Sequence, residues 1–106
     1  MSLILRHYLI SGRVQGVGYR AFSLGLAQSL GLKGWVRNLK NGQVEALAEG
    51  SEFSLEEFSK SLKEGPDRCQ VEAVIFVDVN EPMELSGFEV IEDGVEAWQK
   101  ESFAQF

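Results

Sequence analysis

The chain has 106 residues, of which 44% are hydrophobic and 25% charged, a balance typical of one folded domain and too apolar for a disordered chain. Ten Lys and Arg against sixteen Asp and Glu give a formal net charge of −6. This acidity argues against nucleic acid or an anionic membrane surface as a partner, because both would be repelled at long range. It does not exclude a small anion held in a locally basic pocket.

Cysteine usage and the N-terminal sequence exclude further classes. A single cysteine, Cys69, cannot form an internal disulfide, and the Cys/His cluster of a metal site is absent from the sequence. Arg6 and His7 interrupt the first apolar stretch, so we expect no signal peptide, and no apolar run reaches membrane-spanning length. We therefore expect a cytoplasmic protein without a metal ion or another cofactor, and a monomer by default at this size.

The first part of the chain predicts a strand, a glycine-rich loop and a helix. The short apolar stretch 3–10 is typical of a strand, and the loop 11–18 that follows holds three glycines. Apolar residues then recur at helical spacing across 19–30, and Gly31 marks the end of the predicted helix. The predicted buried positions of that helix are Phe22, Leu26 and Leu30.

A β-hairpin is predicted next. Segments 34–39 and 43–49 read as strands, and the Asn41-Gly42 pair between them favours a tight turn. In the second of these strands apolar residues alternate with polar ones, so we expect one face of it to be exposed to water.

The rest of the domain predicts a helix and two strands. Ser54 and Glu57 match a capping box at the start of a helix that ends at Gly65-Pro66. β-branched residues fill 69–79, which predicts a long strand, and a last short strand is expected at 86–91. The order β-α-β-β-α-β predicts an α+β, ferredoxin-like split βαβ sandwich, with an antiparallel sheet and two helices on one face.

The C-terminal residues lie outside this unit. We expect a domain over 1–92 and a tail over 93–106 whose role the sequence does not indicate. Val95, Trp98 and Phe103 fit a small apolar face on a helix that docks back or meets another subunit, and a loosely held terminus is the alternative.

The loop and the start of the first helix predict an anion site. Unpaired N–H groups and the positive end of the helix dipole bind anions there without a metal, and glycines let the backbone approach closely. Arg20 lies in the first helical turn, and no acidic residue falls between Ser11 and Ser23. Arg13 either approaches the same anion or is solvated. On these residues alone, a tight structural turn remains an equal alternative.

Asn38 is the second candidate for a functional residue, because asparagine is disfavoured in a strand. Either its side chain caps the hairpin through bonds to the backbone, or its amide positions a water molecule beside the loop. For the lone histidine, His7, and for Cys69, we expect structural positions rather than catalytic ones.

Two segments carry a family resemblance. Residues 12–20, Gly-Arg-Val-Gln-Gly-Val-Gly-Tyr-Arg, and the hairpin over 34–50 resemble the two signature motifs of the acylphosphatase family, and the similarity runs from Arg6 to Ile91. The resemblance implies a ferredoxin-like fold and hydrolysis of a carboxylic–phosphoric anhydride, in a small acyl phosphate, to carboxylate and phosphate. It implies that Asn38 orients the attacking water and that phosphate or sulfate can occupy the loop. The implied phosphate-binding groups are the Arg20 side chain and the backbone amides of Gln15, Gly16, Val17, Gly18 and Tyr19.

Two rival functions remain at this point. A non-catalytic module on the same fold would keep the loop for binding phosphate or another anion, and Asn38 favours the enzyme over this module. A carbamoyl-phosphate-handling domain of a larger maturation enzyme is the other rival. The absence of zinc-finger cysteines after the fold disfavours it.

Overall fold

The protein is described by a computed structural model that covers residues 2–81 and 83–98. Within these ranges the chain forms five strands and two helices. In chain order they are β1 (Ile4–Arg13), α1 (Tyr19–Ser29), β2 (Lys33–Asn38), β3 (Val44–Gly50), α2 (Glu52–Glu64), β4 (Gln70–Val79) and β5 (Phe88–Val90). Neither α1 nor α2 is long and apolar enough to cross a membrane.

The strands form one sheet in the order β4-β1-β3-β2-β5. Strand β1 pairs antiparallel with β3 and with β4, and β2 pairs antiparallel with β3. The fifth strand, β5, runs parallel to β2, so the sheet is mixed rather than wholly antiparallel as expected. The β-α-β-β-α-β order and the ferredoxin-like fold are confirmed, and the last short strand expected at 86–91 is β5, at the edge of the sheet.

Both helices cover one face of the sheet and enclose the main core. Helix α1 packs against β2 and β5, and α2 packs against β3 and β4. At the centre of this core the Tyr8 and Phe58 rings meet edge to face, with centroids 5.4 Å apart. The Tyr8 hydroxyl lies 3.0 Å from Ser59 Oγ, so the buried phenol keeps a hydrogen-bond partner.

The opposite face of the sheet is also buried at β1 and β3, and the expectation of an exposed face on β3 is wrong. Glu45 and Leu47 have no exposed surface, and neither does His7 on the neighbouring strand β1. The reason is that the segment 91–98 lies across this face. Its Trp98 ring meets the His7 ring edge to face at 5.2 Å.

The tail therefore docks back on the domain over 93–98, but it forms no helix there. The segment 93–98 pairs with the hairpin through an isolated parallel β-bridge between Leu39 and Gly94. Phe103, which was predicted to share an apolar face with Val95 and Trp98, lies outside the described residues.

Both helices differ from the prediction in detail. Helix α2 begins at Glu52, and its N-cap is Ser51, whose Oγ accepts a hydrogen bond from the Ser54 N–H at 3.1 Å. Helix α1 buries Tyr19, Ser23 and Ala27 fully. The predicted positions Phe22, Leu26 and Leu30 are half-buried, and both leucines pack against the core. The Tyr19 hydroxyl donates to the Leu62 carbonyl at 2.8 Å, which turns this face of α1 toward α2.

Gly34 offers a direct test of the close packing between β2 and β3. Its φ is +146°, and a Cβ placed there would collide with the backbone carbonyl of Leu47. We expect Gly34→Ala to lower the free energy of unfolding by about 2 kcal/mol or more, because a strained backbone and a backbone clash add. Urea denaturation measures this change.

Gly25→Ala is the matched control. Gly25 lies in α1, and a Cβ there meets open space, so alanine is expected to raise stability by up to about 1 kcal/mol. An equal free energy of unfolding for Gly34→Ala and Gly25→Ala would contradict the close packing of Gly34 against the Leu47 carbonyl.

Candidate functional site

The glycine-rich loop leads directly from β1 into α1. Gly16 and Gly18 have φ values of 74° and 84°, in the left-handed region that glycine adopts most readily. A Cβ at either position would meet open space, so glycine is needed there for backbone conformation and not for room. Left-handed residues inside a turn let successive N–H groups converge on one point, as in anion-binding nests.

These loop amides are available to a ligand. Between Gln15 and Gly18, no backbone N–H donates to another residue of the described chain. Gly18 is the N-cap of α1, no side chain caps the helix, and its first turn holds no acidic residue. The loop therefore presents free donors at the positive end of a helix dipole.

The Gln15 side chain fixes the loop against the β2–β3 hairpin. Its Nε2 donates to the backbone carbonyls of Leu39 and Gln43, each at 2.8 Å. Both hydrogens of the amide nitrogen are thereby used. Of Gln15, only the backbone N–H remains for an anion, as the resemblance implies.

Arg20 lies in the first turn of α1, with its side chain 39% exposed beside the loop. Its Nη1 is 3.4 Å from Oδ1 of Asp93, whose side chain is 66% exposed. An exposed pair at this distance contributes little free energy, so the guanidinium keeps donors for an anion. No acidic residue is close to the loop in sequence, but Asp93 of the C-terminal segment lies close to Arg20 in space.

Asn38 is the last residue of β2 and is 8% exposed. Its Oδ1 is buried and accepts no hydrogen bond from the residues that the structure describes. The hairpin turn is capped instead by Asn41, whose Oδ1 accepts from the Gln43 N–H at 3.0 Å. A buried amide oxygen without a protein partner is the usual position of a bound water or ligand group.

Contacts with residues 93 and 94 place Asn38 and Arg20 at the same end of the sheet. The Gly94 N–H donates to the Asn38 carbonyl at 2.9 Å, and the neighbouring residue, Asp93, contacts Arg20. A cleft of about 330 Å³ lies beside the loop, lined by Gly16, Gly18 and Arg20 together with apolar neighbours such as Leu24 and Val90. Asn38 is not among the residues that line it.

Two other side chains near the loop are structural. The Tyr19 phenol is buried, which raises its pKa, so it stays protonated and only the Tyr19 backbone can face an anion. Burial also raises the pKa of the Cys69 thiol, which therefore stays protonated at neutral pH and is a poor nucleophile. Over 2–81 and 83–98, no three His, Cys, Asp or Glu residues are placed to hold a metal ion.

The acylphosphatase family model matches residues 6–90, which include the loop, Arg20 and Asn38. The chain belongs to the acylphosphatase family. Membership assigns it the enzyme class of an acylphosphatase.

Individual relatives agree with this. An acylphosphatase from Thermus thermophilus is 51% identical over 82 residues, which cover 77% of this chain and 92% of that protein. The crystal structure of acylphosphatase from Bacillus subtilis superposes with a TM-score of 0.81 at 33% identity, covering 83% of this chain and 98% of that one.

A larger protein contains the same fold. Full-length HypF, solved in a phosphate- and nucleotide-bound form, matches with a TM-score of 0.81 and 30% identity. The match covers 88% of this chain but only 12% of HypF.

A buried cluster behind the sheet was not expected from the sequence. Glu45 Oε2 is 2.6 Å from His7 Nε2 and accepts the Trp98 backbone N–H at 2.7 Å. Its Oε1 accepts from Arg37 Nε at 2.7 Å, on the face of the hairpin that the segment 91–98 covers. This cluster anchors the segment that carries Asp93 and Gly94 to the site.

Replacing Glu45 tests that anchor. We expect Glu45→Gln to lower the free energy of unfolding by about 3 kcal/mol, because Arg37 loses a buried partner. Tryptophan emission should also shift to longer wavelength as Trp98 leaves the sheet. Glu49→Gln, on the same strand but without such bonds, should change stability by no more than about 0.5 kcal/mol. Unchanged stability and emission in Glu45→Gln would contradict the anchoring role.

Proposed function

We propose that this acylphosphatase hydrolyses small acyl phosphates at the loop of residues 15–19, with Arg20 and Asn38 as its catalytic residues. The observation that carries the proposal concerns hydrogen bonds within the described residues. There the loop amides beside Arg20 donate to no other residue, and the buried Oδ1 of Asn38, at the same end of the sheet, accepts no hydrogen bond. A purely structural βα turn would have no need for such a set of open donors.

The loop and Arg20 hold the phosphoryl group. The backbone N–H groups of Gln15, Gly16, Val17, Gly18 and Tyr19 donate to its oxygens, and the Arg20 guanidinium donates two parallel hydrogen bonds. Phosphoryl transfer chiefly requires positioning and stabilisation of charge on the equatorial oxygens, which these fixed donors supply. Inorganic phosphate and sulfate bind the same donors and compete with substrate.

Asn38 orients the attacking water. Its amide oxygen accepts one hydrogen of the water, which directs a lone pair toward phosphorus. The water oxygen forms a bond to phosphorus while the bond from phosphorus to the acyl oxygen breaks, and the carboxylate leaves with that electron pair. The proton of the water passes to an oxygen of the substrate's own phosphate, so no histidine or carboxylate is needed as a base.

The reaction is proposed to need no metal ion and no cofactor. The leaving carboxylate is already a stable anion, so strong acid catalysis is unnecessary. Arg20 is permanently charged at neutral pH and supplies the positive charge that a metal ion provides in other phosphoryl-transfer enzymes.

Further properties are proposed with it. We place the catalytic domain over residues 1–92, which the family match to 6–90 supports, with 93–106 as a tail. We expect a cytoplasmic monomer, since one cysteine without an internal partner suits a reducing compartment. The net charge of −6 suits a small-molecule substrate better than nucleic acid or an anionic membrane.

The direct test is release of phosphate from benzoyl phosphate in the presence of excess EDTA. We expect Arg20→Ala and Asn38→Ala each to lower kcat/KM by about 100-fold or more, because each removes a group that acts on the reacting atoms. Arg20→Lys should fall between wild type and Arg20→Ala, because lysine keeps the charge and loses the planar fork.

Asn41→Ala is the matched control, an asparagine in the same hairpin whose side chain lies in the exposed turn. It should retain the wild-type rate. Wild-type activity in Arg20→Ala or Asn38→Ala would refute their roles. Phosphate binding by the wild type without turnover of benzoyl phosphate would favour the non-catalytic module instead.

A further inference from the structure

A second cleft lies on the other side of the glycine-rich loop. Its volume is about 540 Å³. It runs between the loop and the chain that leads from α2 into β4. The residues that line it include Arg13, Gly16 and Val17 on one side and Asp67, Arg68 and Gln70 on the other. The proposed reaction uses none of these side chains.

Two arginines, Arg13 and Arg68, line the cleft. Arg13 and Arg68 are both exposed, and neither forms an ion pair with an acid in the described part of the chain. Asp67 is the one acidic residue among the lining residues. The cleft therefore has an excess of positive charge in a chain whose net charge is −6.

The second cleft adjoins the site of the reaction. Gly16 lines it and also lines the cleft that holds Arg20. A substrate whose phosphoryl group occupies the loop can therefore extend its acyl part past Gly16 toward Arg13 and Arg68. Guanidinium groups bind oxyanions such as carboxylate and phosphate through paired hydrogen bonds.

We propose that Arg13 and Arg68 bind a second anionic group on the acyl part of the substrate. The preferred substrates are then acyl phosphates that carry a carboxylate or another phosphate away from the anhydride. This inference rests on the proposed acyl phosphate hydrolysis and adds the class of the acyl group. Arg13 and Arg68 are specificity residues that do not touch the reacting bond.

The test compares 4-carboxybenzoyl phosphate and 3-carboxybenzoyl phosphate with uncharged 4-methylbenzoyl phosphate. The readout is the ratio of kcat/KM for each carboxylated substrate to kcat/KM for the methyl substrate, so that differences in intrinsic reactivity cancel between variants. We expect Arg13→Gln/Arg68→Gln to lower this ratio about 10-fold for at least one carboxylated substrate, the effect of losing charge-assisted hydrogen bonds.

Two variants control for overall charge and for the local field. Lys60→Gln/Lys63→Gln also removes two positive charges, but from α2, where these lysines line a different cleft with Arg6. This variant should leave the kcat/KM ratio unchanged. Asp67→Asn removes the one acid from the second cleft and should raise the ratio.

The outcomes separate this inference from the proposed function. Equal ratios in wild type and Arg13→Gln/Arg68→Gln for both carboxylated substrates would overturn the inference alone. An equal fall in the lysine variant would also overturn it, because the effect would then be general electrostatics. Failure of the wild type to hydrolyse 4-methylbenzoyl phosphate and both carboxylated substrates would overturn the proposed function itself.

Discussion

The two hydrogen bonds from the Gln15 side chain to the carbonyls of Leu39 and Gln43 hold the site together. They join the glycine-rich loop, which follows β1, to the hairpin that carries Asn38. They connect the loop amides directly to the hairpin, in addition to the links that the sheet and the segment 91–98 provide. The Gln15 side chain makes these bonds, while the backbone N–H groups of Gln15 to Gly18 donate to no residue that the structure describes. One residue therefore both fixes the loop and leaves its donors free.

A second connection reaches the site from behind the sheet. Glu45, fully buried, bonds the segment 91–98 through the Trp98 N–H and is itself held by His7 and Arg37. From this anchor the segment runs past the end of β2, where Gly94 bonds the backbone of Asn38 and Asp93 meets Arg20. Residues beyond the family match thus contact both proposed catalytic residues, and the C-terminal segment belongs to the architecture of the site.

The sequence predicted those parts of the molecule whose signals are local. The Asn41-Gly42 turn, the glycines of the loop and Arg20 at the helix start depend on neighbouring residues, and the structure places each as expected. Burial on the far side of β3 depends on a segment about fifty residues away in sequence. The alternation of apolar and polar residues around Glu45 therefore predicted a face exposed to water. The same limit hid the approach of Asp93 to Arg20. In α1, Tyr19 is buried because its hydroxyl reaches Leu62 on the other helix, a contact that helical spacing does not reveal.

The central claim is that free backbone amides of the loop bind the phosphoryl group. Titrating the ¹⁵N-labelled protein with inorganic phosphate, while recording amide resonances by NMR, tests it most directly. We predict that the largest shifts fall on the amides of Gln15 to Tyr19 and saturate together, with the Arg20 side-chain resonance following them. Shifts centred on the α2 lysines Lys60 and Lys63, or no saturable shift in the loop, would contradict it.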